Sequence, residues 1–446
     1  MMKKNDLVTL TIDGYTAEGM GVGRADGMAV FVPASAAGDV LRCRIVKVQK
    51  TYAYGRIEQV VTNSPHRIAP ACPVYPKCGG CAFLHLSYEE ELRLKGQRVE
   101  DALRRIGGFD IKIGPAVGSD RRGYRNKAQF PVCLQDGRAA FGFYRSRSHQ
   151  IVPTDRCLIQ GPRTNALAAA VCRWMDESGA EPYDEETNTG LVRRIYVREG
   201  ARGCLLCIVA NGGSLPQPER LTALARETAP DLRGIVLNIN REKTNRIMGD
   251  VCRTLWGDGS LRDTLLGLEY DLSPLSFYQV NHAQAEELYR CALDFAALKE
   301  NETALDLYCG AGTITLLLAR RCREAIGNEI VPEAVRDANE NAARNDIRNV
   351  RFILGDAGEA ASQLAREGLR PDVIVTDPPR KGMDRKAVEA IAAMAPKRLV
   401  YVSCDPASLA RDCALLRDLG YKLEKAKAYD MFPGTANVET VCCLYH

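Results

Sequence analysis

Ala304-Leu305-Asp306-Leu307-Tyr308-Cys309-Gly310-Ala311-Gly312 is an apolar run that stops at a glycine turn. Three further apolar runs end in the same way: residues 325–329 at Asn328-Glu329, residues 373–380 at Asp377-Pro378-Pro379-Arg380, and residues 399–406 at Ser403-Cys404-Asp405-Pro406. Helix-like stretches at 315–321, 332–345 and 384–394 lie between and after them. Such alternation predicts an α/β fold built on a parallel sheet. Ligands bind such sheets beyond the carboxyl ends of the strands. Gly310, Glu329, Asp356 (closing Phe352-Ile353-Leu354-Gly355-Asp356), Asp377 and Cys404 are therefore predicted to meet along one edge.

A glycine turn followed about 20 positions later by an acidic residue lets backbone approach a nucleotide while a carboxylate takes the ribose hydroxyls. Glu329 suits the ribose role. Gly-x-Gly alone fits a nicotinamide enzyme equally well; the Asp-Pro-Pro strand end and Cys404 turn the reading towards S-adenosylmethionine. Asp405 is a good helix cap and Pro406 suits a first helical position, which sets the Cys404 thiol beside a helix N-terminus where the dipole favours thiolate. A buried structural cysteine is the competing reading for any one of 17 cysteines.

Five motifs together resemble the RNA uracil-5 methyltransferases: Phe277-Tyr278-Gln279-Val280-Asn281, Asp306-Leu307-Tyr308-Cys309-Gly310, Asp377-Pro378-Pro379-Arg380-Lys381-Gly382, Val402-Ser403-Cys404-Asp405-Pro406 and Asn437-Val438-Glu439-Thr440. They stand in the family's order. The run 432–439 departs from it in lacking histidines around the terminal glutamate. The resemblance implies a Rossmann-like S-adenosylmethionine-dependent methyltransferase domain. It makes Cys404 the nucleophile and Glu439 the proton acceptor, and it has Gln279, Tyr308, Thr313, Glu329, Asp356 and Asp377 hold S-adenosylmethionine. Phe277 would stack on a flipped uracil. The chemistry suits these residue types: carbon 5 of uracil becomes nucleophilic once a thiolate adds at carbon 6, and a base must then remove the carbon-5 proton.

Residues 7–15, 29–32 and 40–48 alternate apolar and polar positions between glycines, which implies a small β-barrel. The segment resembles the TRAM domain, an OB-like RNA-binding module. Beyond Asn63-Ser64-Pro65, Cys72, Cys78 and Cys81 stand at C-x5-C-x2-C, and Cys157 offers a fourth ligand. Four thiolates admit zinc or an iron–sulfur cluster, and spacing does not choose between them. The resemblance implies a four-iron four-sulfur cluster, a feature of the family's ribosomal-RNA branch; the transfer-RNA branch typically lacks both cluster and TRAM domain. Cys204 and Cys207 lie three apart in a strand-like run, face opposite ways and read as core, as do Cys442 and Cys443. No histidine-centred site is read from the five histidines, His282 included.

The expected organisation is a TRAM barrel over residues 1–61, an α+β central iron–sulfur and RNA-binding domain over 62–270, and the methyltransferase domain over 271–446. The chain's net charge of +4 is modest, but residues 121–150 carry seven Arg or Lys against one acid, Asp136, with aromatics interleaved. This predicts an RNA-facing surface including Arg122, Arg125 and Lys127, against the reading of a solvated hairpin with core aromatics. Neither an export segment nor an 18-residue apolar run is present, so a monomeric cytoplasmic protein with reduced thiols and no membrane partner is expected. Ribosomal RNA is the favoured substrate. The alternatives are a transfer-RNA enzyme, a non-catalytic RNA-binding protein, and a TRAM-bearing radical methylthiotransferase, whose cluster cysteines would stand at C-x3-C-x2-C.

Overall fold

The computed structural model describes residues 2–446. Strands Leu7–Tyr15, Gly21–Ala25, Met28–Val32, Val40–Val48 and Tyr52–Thr62 close into a barrel. Alternation along them puts Leu10, Ile12, Val30, Leu41, Cys43 and Ile45 inside. An Arg67–Asp39 ion pair and a His85 Nε2 contact with Ser35 O at 2.9 Å fasten the barrel to the following segment.

The central region is a seven-stranded mixed sheet in the order Val251–Gly257, Leu232–Ile239, Gly203–Ala210, Val192–Gly200, Lys127–Gln135, Arg138–Tyr144, Ile151–Pro153. Helices Pro162–Ser178 and Pro218–Thr228 pack on one face around Trp174 and Leu224. Cys204 faces those helices, whereas Cys207 lies on the opposite face with Tyr196. Both are fully buried core, as their spacing requires.

The C-terminal region is a second seven-stranded sheet, in the order Val350–Leu354, Glu324–Glu329, Thr303–Leu307, Val373–Thr376, Arg398–Ser403, Glu439–Tyr445, Lys422–Tyr429. The first five are parallel, and Glu439–Tyr445 runs antiparallel between its neighbours. Strand order reverses at Thr303–Leu307, the position where open α/β sheets form a ligand crevice. Packing crosses a linear boundary at 271: the hairpin Leu261–Leu265/Leu268–Leu272 puts Leu268 and Tyr270 into the core of this C-terminal region. Likewise, Tyr88–Arg105 packs through Val99 and Leu103 against Ala410 and Ala428.

That same helix grips the loop leading to Glu439. Lys95 is buried and its ammonium donates to Glu91 at 2.8 Å, Asp430 at 2.5 Å and Phe432 O at 3.2 Å. Glu91 also accepts from Gly434 N–H at 2.6 Å, Tyr124 donates to Pro433 O at 3.1 Å, and Arg98 donates to Ala436 O at 2.6 Å. Gly434 adopts φ +82°, and a Cβ there would meet Leu84 at 3.0 Å, so the turn needs glycine. Removing one partner of such a buried ion pair costs about 3–5 kcal/mol, because the opposing charge is left without compensation.

Candidate active site

Register brings the two reactive groups together. Ser403 pairs with Thr440 across the antiparallel ladder, so the next position sets Cys404 opposite Glu439. Asp405 caps the helix Pro406–Asp418, its Oδ1 accepting from Ala407 N–H at 3.0 Å and Ser408 N–H at 2.8 Å. The strand–turn–helix read from sequence is therefore present, and Cys404 is half-buried at its bend. A cleft of about 990 Å3 opens over it, lined by Cys404, Glu439, Asp377, Gln279, Tyr308 and Thr313, and also by Glu329, Asp356, Phe277 and Lys127.

The residues expected to hold the donor are themselves held by backbone. Glu329 Oε2 accepts from Gly310 N–H at 3.0 Å, and Oε1 accepts from Ile330 and Val331 N–H at 2.9 Å each. Gly312 has φ +81°, and a Cβ there would come within 2.9 Å of Phe352. Thr313 begins the helix Thr313–Ala319. Asp356 Oδ1 is engaged as a helix cap, accepting from Gly358 and Glu359 N–H at 3.0 and 3.2 Å. One oxygen of Asp356 is thus structural although the residue borders the cleft. Gln279 is anchored through its carbonyl, which accepts from Asn126 Nδ2 at 2.9 Å.

Electrostatics correct one expectation. The helix N-terminus was expected to favour the Cys404 thiolate; instead the thiol is pushed up to about 11, by burial first and then by the charges of Glu439 and Asp377, with Arg380 pulling it down. Burial and two carboxyl groups aimed at the same volume both disfavour the thiolate. Burial, then Asp377, raises Glu439 to about 8, against the pull of Arg380. Burial raises Asp377 to about 7. Arg380, part of a quoted motif but given no role from sequence, is the cation that tempers this anionic cluster. Its place after Asp-Pro-Pro was the available signal.

The basic segment is only partly a surface. Arg121 is ion-paired to Glu91 at 3.0 Å and donates to Phe83 O and Leu86 O, so it does not stand free for phosphate. Tyr124, Phe130 and Phe141 are buried. Arg122 is exposed, Arg125 and Lys127 are half-buried, and Lys127 reaches the cleft. Phe277, at 76% exposure, stands unpacked on the cleft rim.

A model of the tRNA (Uracil-5-)-methyltransferase family matches residues 260–446, and a TRAM domain model matches residues 3–57. An "uncharacterized RNA methyltransferase" of Halalkalibacterium halodurans is 41% identical over 447 residues, covering 99% of this chain and 98% of the relative. The chain belongs to the RNA uracil-5 methyltransferase family. An RNA methyltransferase of Clostridium acetobutylicum is 39% identical over 99% of the chain and 97% of its own length. Among solved structures, the Pyrococcus abyssi tRNA (uracil-54, C5)-methyltransferase in complex with S-adenosyl-L-homocysteine matches with a TM-score of 0.80 at 28% identity, covering 98% of this chain and 99% of that one. This methyltransferase uses S-adenosylmethionine and acts on RNA. None of its helices among the described residues is long and apolar enough to cross a membrane.

The methyltransferase's four candidate cluster cysteines share one neighbourhood. Cys78 lies beside Arg145 at the end of the Arg138–Tyr144 hairpin, and Cys157 N–H donates to Asn165 at 2.8 Å. Burial raises Cys81, and the charges of Cys157, Cys78 and Cys72 raise it further; Cys157 is raised by burial and by Cys78 and Cys72. Gly80 N–H donates to the Cys78 sulfur at 3.4 Å. Among the described residues, no three Cys, His, Asp or Glu side chains gather around a point the size of one metal ion.

Proposed function

We propose that this enzyme methylates carbon 5 of uridine in ribosomal RNA through a covalent bond between Cys404 and carbon 6 of the base. The observation that carries the reading is that Cys404 and Glu439, next after the Ser403–Thr440 pair, line one cleft together with Glu329 and Asp377. Cys404 adds to carbon 6, and the electron pair moves to the uracil carbonyl as an enolate. Bound S-adenosylmethionine supplies the electrophilic methyl group. Glu439 then takes the carbon-5 proton, and the bond from carbon 6 to Cys404 breaks. Asp377 and Gln279 orient the donor, Glu329 takes its ribose hydroxyls, and Tyr308, Thr313 and Asp356 complete its walls. Phe277 stacks on the flipped base, while Arg122, Arg125 and Lys127 meet the RNA backbone.

Cys72, Cys78, Cys81 and Cys157 would hold a four-iron four-sulfur cluster. Its place is structural: Ala82 and Phe83 N–H, next in sequence to Cys81, donate to Gly434 O at 2.8 and 2.9 Å, on the loop that runs to Glu439. Anaerobically purified protein is expected to contain iron and sulfide, both lost in Cys78→Ser or Cys81→Ser; stoichiometric zinc without sulfide would contradict the assignment.

The TRAM domain and cysteine set favour ribosomal RNA as the substrate. A second reading, transfer RNA, draws on the Pyrococcus abyssi enzyme, which acts on transfer RNA and matches this chain over nearly its full length. Purified enzyme should place labelled methyl groups in 5-methyluridine of 23S ribosomal RNA fragments and leave transfer RNA unlabelled. The reverse pattern establishes the transfer-RNA reading.

A further inference from the structure

Lys127 lines the cleft with the charges of Arg198 and Arg125 near it, and among the described residues no carboxylate is ion-paired to any of the three. Arg198, on strand Val192–Gly200, is fully buried. Its Nε donates to the Tyr196 hydroxyl at 2.7 Å and Nη2 donates to Ser276 O at 2.6 Å, while Nη1 has no partner. Lys127 is its register partner on the neighbouring strand, and Lys127 lines the cleft beside Ser276 and Phe277. Arg125 lies two residues before it. The nearby carboxylates are spent elsewhere: Glu199 on Arg163 and Thr164, Asp263 on His282 and Ala201 N–H. Burial, then Arg198 and Arg125, pulls the Lys127 ammonium down to about 8, and no acid pulls it back.

Cations partly or wholly withdrawn from water without an anion are unfavourable, a cost that an incoming oxyanion offsets. The two oxyanions that reach this cleft are an RNA phosphate and the carboxylate of the methyl donor. The donor's amino-acid end carries its own ammonium and is neutral overall, so it would leave the wall's excess charge standing. A phosphate brings a full negative charge, and Lys127 shares its stretch of wall with Phe277, the exposed ring.

We infer that Lys127 and Arg125, backed by Arg198, clamp one phosphate of the RNA strand next to the reacting uridine. Lys127 and Arg125 touch the phosphate. Arg198 is a positioning residue that fixes the Ser276 carbonyl and keeps the wall positive. The clamp rests on the reading that a uridine in RNA enters this cleft, and it adds the group that fixes the strand's register there.

The test is a set of RNA hairpins with a single loop uridine, each carrying a neutral methylphosphonate at one loop phosphate, titrated onto the full-length protein. One position should weaken binding by about 10- to 100-fold, the range for hydrogen bonds to charged groups. Lys127→Met should weaken binding of the all-phosphate hairpin by the same factor and lower the log–log salt slope by about one. The two changes should not add, because each removes the same contact. Arg198→Lys should keep the register of the sensitive phosphate, whereas Arg198→Met should blur it, an effect that altered folding alone does not produce. Additive losses at every phosphate would overturn the clamp. So would an unchanged RNA profile with a fall in S-adenosylhomocysteine affinity in Lys127→Met, which would assign the cations to the donor carboxylate. Labelled methyl transfer by the wild-type protein is scored separately: absence of 5-methyluridine alongside non-additive binding would sink the functional reading and leave the clamp standing.

Discussion

Cys404→Ala is expected to lose methyl transfer on the order of 10^5-fold or more, the scale seen when a covalent nucleophile is removed. Binding of RNA and of S-adenosylmethionine should survive, because the thiol is a small part of a cleft lined chiefly by other residues. No adduct stable to denaturing electrophoresis should form, since the thiol that would add to carbon 6 is gone. The variant thus separates binding from chemistry: a Cys404→Ala protein that still yields the adduct would remove the nucleophile assignment.

Glu439→Gln should fail later. The amide cannot take the carbon-5 proton, so turnover should fall about 10^2- to 10^4-fold, and a methyl-labelled protein–RNA adduct should accumulate. The same substitution has an electrostatic consequence with a definite sign. Glu439 is one of the charges that raise Cys404, and it is itself ionised only above about pH 8. Above that pH the neutral amide should therefore lower the Cys404 pKa from about 11, increasing the thiolate fraction. Alkylation of Cys404 by iodoacetamide, followed against pH, should have its midpoint at lower pH in Glu439→Gln than in the wild type. Equal midpoints would mean that the two groups do not sense each other, and release of methylated RNA at the normal rate would move the base elsewhere. For the wild type, the active form needs both groups deprotonated, so kcat/KM should rise with pH through the neutral range.

The catalytic sheet was legible because each chemical motif closes a strand: Gly310, Glu329, Asp377 and Cys404 all sit at carboxyl ends, and a parallel sheet gathers those ends. The helix behind Cys404 was equally readable, since Asp405 and Pro406 act locally. What depends on distant partners was not. Glu439 comes near Cys404 because the antiparallel Ser403–Thr440 pairing ends one position before both, which no local pattern announces, and only the family resemblance singles it out. Lys95 meets Asp430 across 335 positions of sequence. Arg121 stands in the basic segment, and the acid that engages it, Glu91, lies on another element. The same holds for the Cys404 thiol: the helix end is local, while burial and the charges of Glu439 and Asp377 arise only on folding. Arg198 gave no signal at all, since an arginine in a polar strand looks solvated until the sheet buries it.

Chemistry at carbon 5 is tested most directly by RNA carrying tritium on carbon 5 of its uridines, incubated with the enzyme and carbon-14 methyl-labelled S-adenosylmethionine. One tritium should appear in water for each methyl group retained in RNA, and Cys404→Ala should release none. Methyl transfer that leaves the tritium in place would contradict the account.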